Sequence, residues 1–291
     1  MTKILITGAN SYIGMQVANY LCRWPERYTV DTVDMIDGTW RSCDFSAYDV
    51  IYHVAGIAHS DGGKISPEQE KLYRSVNTDL AVETAEKARS QGVKQFIFMS
   101  SAIVYGDSAS LGRTKLITKD TLARPANCYG DSKLQAEIGL HKLESDSFKI
   151  VILRPPMIYG KGSKGNYPVL AKLARKVPLF PKVNNCRSML YVENLCEFVK
   201  LMIDNREQGT FWPQNAEYTN TSEMVRAIAA SHGKKIRLTK LFNWGLYLLR
   251  PFTGLVDKAF GSLAYDCQMS AYPKGEYCLV SLEESIERTE N

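Results

Sequence analysis

Regularly spaced cysteine and histidine are missing from this sequence. Seven cysteines and four histidines occur in 291 residues, and no Cys-x-x-Cys pair is present. The odd number and irregular spacing of the cysteines indicate reduced thiols rather than a disulfide framework or a zinc site. The histidines show no metal-ligand spacing either, so we predict no metal site. They are His53, His59, His141 and His232.

A hydrophobic run long enough to cross a membrane is also missing. The most apolar late stretch, residues 244–249, meets Arg250 far short of the roughly 20 apolar residues that a spanning helix needs. Residues 1–3 lead directly into a predicted strand, so we expect no signal peptide. The net charge of +5 is mild and the basic residues look scattered, which does not favour nucleic-acid binding. We therefore expect a cytoplasmic protein.

Short apolar strands alternate with helices through the first half of the chain. Because the strands are apolar nearly throughout, they favour a parallel sheet that is covered on both faces. The predicted strands span residues 3–7, 28–34, 49–55, 95–100 and 149–153, and the predicted helices span residues 12–22, 69–91 and 130–144. In the second half, residues 243–260 carry many apolar side chains, and we predict a core helix or a cover over a cleft rather than a membrane anchor.

A glycine-containing turn joins the first predicted strand to the first predicted helix. Gly8 permits a tight turn, and Gly14 lets the helix pack closely on the strand. The start of the helix offers free N–H groups and the positive end of the helix dipole to a pyrophosphate. This position favours nucleotide binding over an ordinary glycine turn. The predicted cofactor contacts here are Gly8, Asn10, Ser11, Tyr12, Ile13 and Gly14.

Asp34 ends the second predicted strand, twenty residues after Gly14. An acid at that place binds the ribose hydroxyls of an adenosine and repels a 2′-phosphate, which favours NAD(H) over NADP(H). Arg41 could offset that repulsion, and a solvated acid at a strand end is an equal alternative for Asp34 taken alone. We predict an NAD(P) cofactor, with NAD(H) favoured.

These features together predict an α/β fold, a Rossmann-type doubly wound parallel sheet with a smaller C-terminal substrate-binding domain. Residues 1–155 form the predicted nucleotide-binding domain, to which the predicted helix 191–205 is joined. Residues 156–190 and 206–291 form the predicted substrate-binding domain. The boundary near residue 155 coincides with Pro155-Pro156, where the regular alternation ends.

Tyr129 and Lys133 are four residues apart, which places both on one face of a helix. A neighbouring ammonium stabilises a phenolate and lowers the tyrosine pKa. Tyr129 can then exchange a proton with a substrate oxygen while hydride moves to or from a nicotinamide. Ser100 and Ser101 follow a strand at the carboxyl edge, where a hydroxyl can reach the same oxygen. Taken alone, the Tyr129–Lys133 pair favours a surface pair, and each serine favours a cap or a turn.

The ordered series of motifs resembles the extended short-chain dehydrogenase/reductase family, also called the NAD-dependent epimerase/dehydratase family. The resemblance covers roughly residues 2–205, and Ser11 replaces the family's usual central glycine. It implies catalytic roles for Ser101, Tyr129 and Lys133. It implies cofactor contacts by Asp44, Phe45, Ala55, Gly56, Asn77, Ser100, Tyr129, Lys133 and Pro156. It further implies nucleotide-sugar contacts by Ser101, Tyr129, Asn166 and Arg187, and a homodimer.

Three reactions share this frame. Dehydratases of the family carry an Asp-Glu pair after the catalytic hydroxyl, and here Ala102 and Ile103 stand in its place, which disfavours dehydration. Residues 40–42, 153–160 and 178–188 resemble bacterial 4-ketoreductases of capsule and O-antigen synthesis. That resemblance implies reduction of a UDP-2-acetamido-2,6-dideoxy-4-hexulose to UDP-N-acetylfucosamine or UDP-N-acetylquinovosamine. The alternatives are a UDP-glucose or UDP-N-acetylglucosamine 4-epimerase, and a non-catalytic NAD(P)-sensing protein.

Overall fold

The computed structural model describes residues 1–58, 65–241, 243–252 and 254–291. His59 lies outside the described residues. Within these ranges, no helix combines the length and the apolar character that crossing a bilayer requires. The same residues contain no group of three or more His, Cys, Asp or Glu side chains arranged to hold a metal ion.

A six-stranded parallel sheet forms the centre of the molecule. Its strands are β1 (Thr2–Thr7), β2 (Tyr28–Val33), β3 (Val50–His53), β4 (Gln95–Met99), β6 (Lys149–Leu153) and β10 (Gly209–Phe211). Their order is β10-β6-β4-β3-β1-β2. The chain therefore adds β2 on one side of β1 and β3 on the other, so the strand order reverses between β1 and β3. In open parallel sheets, ligands bind at the carboxyl ends of such a pair of strands.

Helices cover both faces of the sheet. Alternate side chains of each strand point to opposite faces, and both faces are apolar. Ile4 and Ile6 belong to a core that includes the helices on one face, whereas Leu5 belongs to the core of the other face. The helices of this half are α1 (Tyr12–Leu21), α2 (Pro67–Tyr73), α3 (Leu80–Ser90), α4 (Cys128–His141) and α6 (Val192–Asp204). The doubly wound α/β fold predicted from the sequence is confirmed.

The predicted helix 69–91 contains an irregular segment. A π-helical stretch, Arg74–Asp79, joins α2 to α3. The insertion of a wider turn shifts the following residues around the helix axis, and such stretches are frequent at functional sites. Asn77 lies within it.

The remaining chain forms short strands and helices beside the carboxyl edge of the sheet. These are β5 (Leu116–Ile117), β7 (Met157–Tyr159), α5 (Asn166–Lys176), β8 (Leu179–Pro181), β9 (Met189–Tyr191), α7 (Thr221–Ser231), β11 (Arg237–Thr239), α8 (Asn243–Leu249), α9 (Leu255–Phe260), β12 (Ala264–Tyr265), α10 (Cys267–Ser270) and α11 (Leu282–Glu290). One hydrophobic cluster runs from the sheet into these elements without a break. The division into two domains stays a prediction.

The apolar stretch 243–260 is only partly in the core. Val256 and Phe260 are buried, as a core helix predicts. Trp244, Leu248 and Phe252 are largely exposed, so the prediction of a core helix is wrong for them. None of the three lines the large cleft described below.

Candidate active site

A cleft of about 1070 Å³ opens where β1, β3 and β4 end. It receives side chains from the glycine turn, the end of β3, the end of β4, the start of α4 and the loop after β6. Its lining residues are Asn10, Ser11, Tyr12, Ile13, Val54, Gly56, Ile57, Ala58, Gln69, Leu72, Tyr73, Met99, Ser100, Ser101, Tyr129, Lys133, Pro155, Pro156, Ile158, Ser163, Lys164 and Gly165. Ten of the residues predicted from the sequence meet here.

The glycine turn has the tight geometry that its sequence predicts. Gly8 has a φ of 85°, a backbone conformation that side chains disfavour, and its N–H donates to the Val33 carbonyl at 2.9 Å. A Cβ on Gly8 would lie 3.0 Å from the Ala55 backbone. Gly8 and Ala55 therefore lie behind the cleft and bring the ends of β1 and β3 together.

Ser11 begins α1 as its N-cap. Its Oγ accepts from the Gly14 N–H at 3.2 Å, and a Cβ on Gly14 would lie 2.5 Å from that oxygen. The serine that replaces the family's glycine thus stabilises the helix start. The N–H groups of Tyr12 and Ile13 have no preceding carbonyl within the helix. Both residues line the cleft, so this end of the helix suits a pyrophosphate.

The adenosine side of the predicted cofactor site lies beyond β2. Asp34 accepts from the Ile36 N–H at 2.8 Å and directly follows the residue that holds the glycine turn. Arg41 donates two hydrogen bonds to Glu83, at 2.5 and 2.6 Å. The Arg41 guanidinium is therefore paired with the Glu83 carboxylate in this structure.

Asp44 and Phe45 are not brought to the cleft. The Asp44 carboxylate accepts hydrogen bonds from the Ser46 hydroxyl and from the Ser46 N–H, and these bonds hold the pKa of Asp44 below its usual value. The Phe45 side chain is fully buried beside Trp40, and its N–H donates to Gln91 at 2.6 Å. Their predicted adenine contacts stay a prediction.

Asn77 clamps the end of β3. Its Oδ1 accepts from the Ile57 N–H at 2.9 Å, and its Nδ2 donates to the Ile57 carbonyl at 3.1 Å and to the Ser132 Oγ at 3.0 Å. The π-helical stretch directs this side chain inward, where it is fully buried. Asn77 therefore positions Gly56 and α4 relative to each other.

Replacement of Gly56 by Ala is expected to weaken cofactor binding. The new Cβ would lie 2.9 Å from the Asn77 Oδ1 and 3.2 Å from the Lys133 Nζ, so the clamp or the lysine must move. We expect the dissociation constant for NADH, measured by fluorescence titration, to rise about tenfold. The matched control is Gly245→Ala, because no described heavy atom lies within 4 Å of a Cβ at that position. Equal affinities in the two variants would contradict the clamp.

Tyr129 lies in the first turn of α4, which Asn127 caps through its bond from the Gly130 N–H at 2.9 Å. The bare Cα of Gly130 packs against the Ile103 carbonyl, and this close approach brings α4 to the serine segment. Burial raises the pKa of Tyr129, while a hydrogen bond with Ser101 lowers it. The expected lowering by the ammonium is therefore not found, because loss of water around the phenolate outweighs the favourable contacts.

Lys133 is buried one helical turn after Tyr129. Its Nζ donates to the Met99 carbonyl at 2.9 Å and lies 4.7 Å from the centre of the Phe98 ring. Burial lowers the pKa of Lys133 to about 8, against the charge of Glu137, which raises it. The ammonium form therefore predominates at neutral pH and is lost just above it.

A buried ion pair supports this face of α4. The Glu137 side chain is 2% exposed and lies 2.5 Å from Arg154 Nη2. The Ser100 Oγ donates to Glu137, and Arg154 donates to the Tyr105 hydroxyl at 2.7 Å. Ser100 therefore lines the cleft, but its hydroxyl is bonded to the buried Glu137.

Asn166 and Arg187, the predicted nucleotide-sugar contacts, do not line the cleft. Asn166 is exposed at the start of α5, directly after Gly165 at the cleft's rim. Arg187 donates to the Lys258 carbonyl at 2.5 Å and to the Ala259 carbonyl at 3.3 Å. Their roles stay a prediction.

Sequence reasoning missed Tyr73 and Glu137. The Tyr73 ring lies 6.0 Å from the Tyr129 ring and lines the cleft. A usable signal existed for each, since Tyr73 precedes Asn77 by four residues and Glu137 follows Lys133 by four. Helical spacing places each of them on the face of a residue already identified.

Known proteins are similar to this chain in sequence and in fold. The model of the NAD dependent epimerase/dehydratase family matches residues 4–212. UDP-glucose 4-epimerase from Vibrio cholerae is 30% identical over 99% of this chain and 94% of its own length. UDP-2-acetamido-2,6-beta-L-arabino-hexul-4-ose reductase from Pseudomonas aeruginosa is 24% identical over 94% of this chain and 70% of its own length. UDP-glucuronic acid 4-epimerase from Bacillus cereus, solved with NAD, superposes with a TM-score of 0.73 at 18% identity, covering 99% and 97% of the two chains.

Proposed function

The chain belongs to the NAD-dependent epimerase/dehydratase family and is an NAD(P)-dependent enzyme, and we propose that it acts at C4 of a UDP-linked sugar. We infer that it reduces the 4-keto group of a UDP-linked 2-acetamido-2,6-dideoxy-hexulose. The product is then UDP-N-acetylfucosamine or UDP-N-acetylquinovosamine, for surface polysaccharide synthesis. The resemblance of residues 153–160 and 178–188 to 4-ketoreductases and the 24% identity to the Pseudomonas aeruginosa reductase support this choice.

The hydroxyl pair of Ser101 and Tyr129 at the open edge of the sheet carries the proposal. Tyr129 donates its proton to the C4 oxygen, and Ser101 donates a hydrogen bond to the same oxygen. NAD(P)H, when bound, would supply the hydride for the reduction at C4. Burial raises the pKa of Tyr129 and so keeps the phenol protonated at neutral pH, which is the state that reduction requires.

The residues for the cofactor fit its chemistry. The N–H groups at the start of α1 would hold the pyrophosphate, and Gly56 and Pro156 would flank the ribose and the nicotinamide. Asp34 would bind the adenosine ribose. Because Arg41 is already paired with Glu83, we propose a preference for NADH over NADPH.

A UDP-glucose 4-epimerase is the second candidate. The observation that favours it is the 30% identity to the Vibrio cholerae enzyme over nearly the whole of both chains. An epimerase needs Tyr129 to accept a proton first and return it later. Reduction needs only the donation.

One assay separates the candidates. Purified protein is incubated with UDP-4-keto sugars and NADH or NADPH, and the absorbance of the reduced nicotinamide is followed. We expect oxidation of one NADH per sugar reduced, with a higher kcat/KM for NADH than for NADPH. Interconversion of UDP-hexoses without net consumption of NADH would establish the epimerase instead. The homodimer stays a prediction.

A further inference from the structure

A surface of exposed apolar side chains lies in and around α8, away from the cleft. Each of its six members is more than half exposed, with Trp244 at 67% and Phe252 at 88%. We name it the apolar surface, and it consists of Leu241, Trp244, Tyr247, Leu248, Leu249 and Phe252. A large exposed apolar patch in a folded protein marks an interaction site.

The opposite side of the same segment is fixed to the protein. Leu246 packs on the main core, and Val256 is buried in it. The Asp257 carboxylate accepts from the Leu111 N–H at 2.8 Å and pairs with Arg250 at 3.1 Å. These contacts anchor the segment to the protein, so the apolar surface faces outward.

The stretch of sequence that carries this surface has an excess of positive charge. Residues 234–258 contain six basic residues and one acid, Asp257, an excess of five charges in a chain whose net charge is +5. The rest of the chain is therefore neutral overall. The six are Lys234, Lys235, Arg237, Lys240, Arg250 and Lys258.

We propose that the apolar surface docks reversibly on an anionic phospholipid bilayer. Leucine, tryptophan and phenylalanine side chains enter the boundary between headgroups and acyl chains, and lysine and arginine beside them pair with lipid phosphates. Trp244 and Tyr247 suit that boundary because each has an apolar ring and a polar group. This proposal does not depend on the sugar that the enzyme uses.

Charge favours a bilayer over a second copy of the chain as the occupant. A twofold interface through the apolar surface would bring two segments with five excess positive charges each into contact. Like charges at an interface oppose association, whereas an anionic bilayer complements both the apolar and the basic residues.

The docked segment contacts elements near the proposed substrate side. The Asp257 bond holds Leu111, which follows the Ser101 segment in the chain. The carbonyls of Lys258 and Ala259 accept hydrogen bonds from Arg187, for which the family resemblance implies a nucleotide-sugar contact.

Vesicle co-sedimentation of the full chain tests the proposal. Vesicles of equal parts phosphatidylglycerol and phosphatidylcholine are compared with vesicles of phosphatidylcholine alone. We expect binding to the anionic vesicles, weakened as salt shortens the screening length to ~3 Å near 1 M. No binding, or equal binding to both vesicles, would overturn the proposal.

Matched variants locate the docking surface. Leu249→Glu and Leu279→Glu change side chains that are 55% and 54% exposed, and only Leu249 belongs to the apolar surface. We expect Leu249→Glu to weaken vesicle binding about tenfold and Leu279→Glu to leave it unchanged. Lys240→Gln should weaken binding about fivefold, with Lys119→Gln as its control.

Folding and self-association are measured on the same variants. Unchanged unfolding midpoints and unchanged turnover with a water-soluble substrate show that the fold is intact. Concentration-dependent dimerisation in sedimentation velocity that Leu249→Glu abolishes, without vesicle binding by the unmodified chain, would assign the surface to a second copy and overturn the proposal.

Discussion

Tyr129→Phe is expected to lower kcat by about 10²- to 10⁴-fold, the range that general acid–base catalysis contributes. The phenol is the proton donor that the cleft places beside Ser101. Phenylalanine keeps the ring and therefore its contact with Tyr73, at 6.0 Å between centroids. The dissociation constant for NADH, measured by fluorescence titration, should stay unchanged, and the loss should appear in stopped-flow turnover.

Tyr73→Phe is the matched control for this loss. It removes a phenol hydroxyl that lines the same cleft, but it leaves the proton donor in place. We expect kcat to change little. If Tyr129→Phe behaved like Tyr73→Phe in turnover, the role of Tyr129 as proton donor would be wrong, and NADH-dependent sensing would regain support.

The sequence predicts those parts of the site that depend on short, local sequence patterns. The turn from Gly8 to Gly14 can be predicted because a strand precedes it and a helix follows it. The pairing of Tyr129 with Lys133 can be predicted because residues four apart lie on the same face of a helix. All of these residues line the cleft or lie directly behind it, because the carboxyl edge of a parallel sheet is a consequence of the strand order.

What the sequence does not predict depends on contacts between distant segments. The direction of the Tyr129 pKa depends on how much water the folded cleft excludes, which no spacing reveals. The π-helical stretch around Asn77 appears as an ordinary helix in the apolar pattern. The exposure of Trp244 and Phe252 depends on which face of their segment finds a partner.

Glu137→Gln is expected to destabilise the protein by about 3–5 kcal/mol, because breaking a buried pair leaves its partner charge uncompensated. The Arg154 side chain is 14% exposed and bonds to Glu137 at 2.5 Å. Urea denaturation measures the change. The control is Glu223→Gln, which removes an exposed pair with Arg226 and should cost less than about 1 kcal/mol.

The same variant should change the pH dependence of turnover. Burial lowers the pKa of Lys133 to about 8, and the charge of Glu137 opposes that shift. Activity that needs the Lys133 ammonium therefore falls as pH rises through about 8. Without the carboxylate the opposing effect is lost, the pKa falls further, and the decline should begin at lower pH. Glu223→Gln should leave the profile where it is.

The double variant Glu137→Gln with Arg154→Met separates the two effects. It removes the uncompensated guanidinium, so part of the lost stability should return, since a buried pair replaced by neutral groups costs less than a broken one. The Lys133 ammonium still lacks its carboxylate, and the early alkaline decline should therefore remain. If the decline instead returned to its original pH as stability recovered, the shift would reflect weakened folding, and Glu137 would have no direct influence on Lys133.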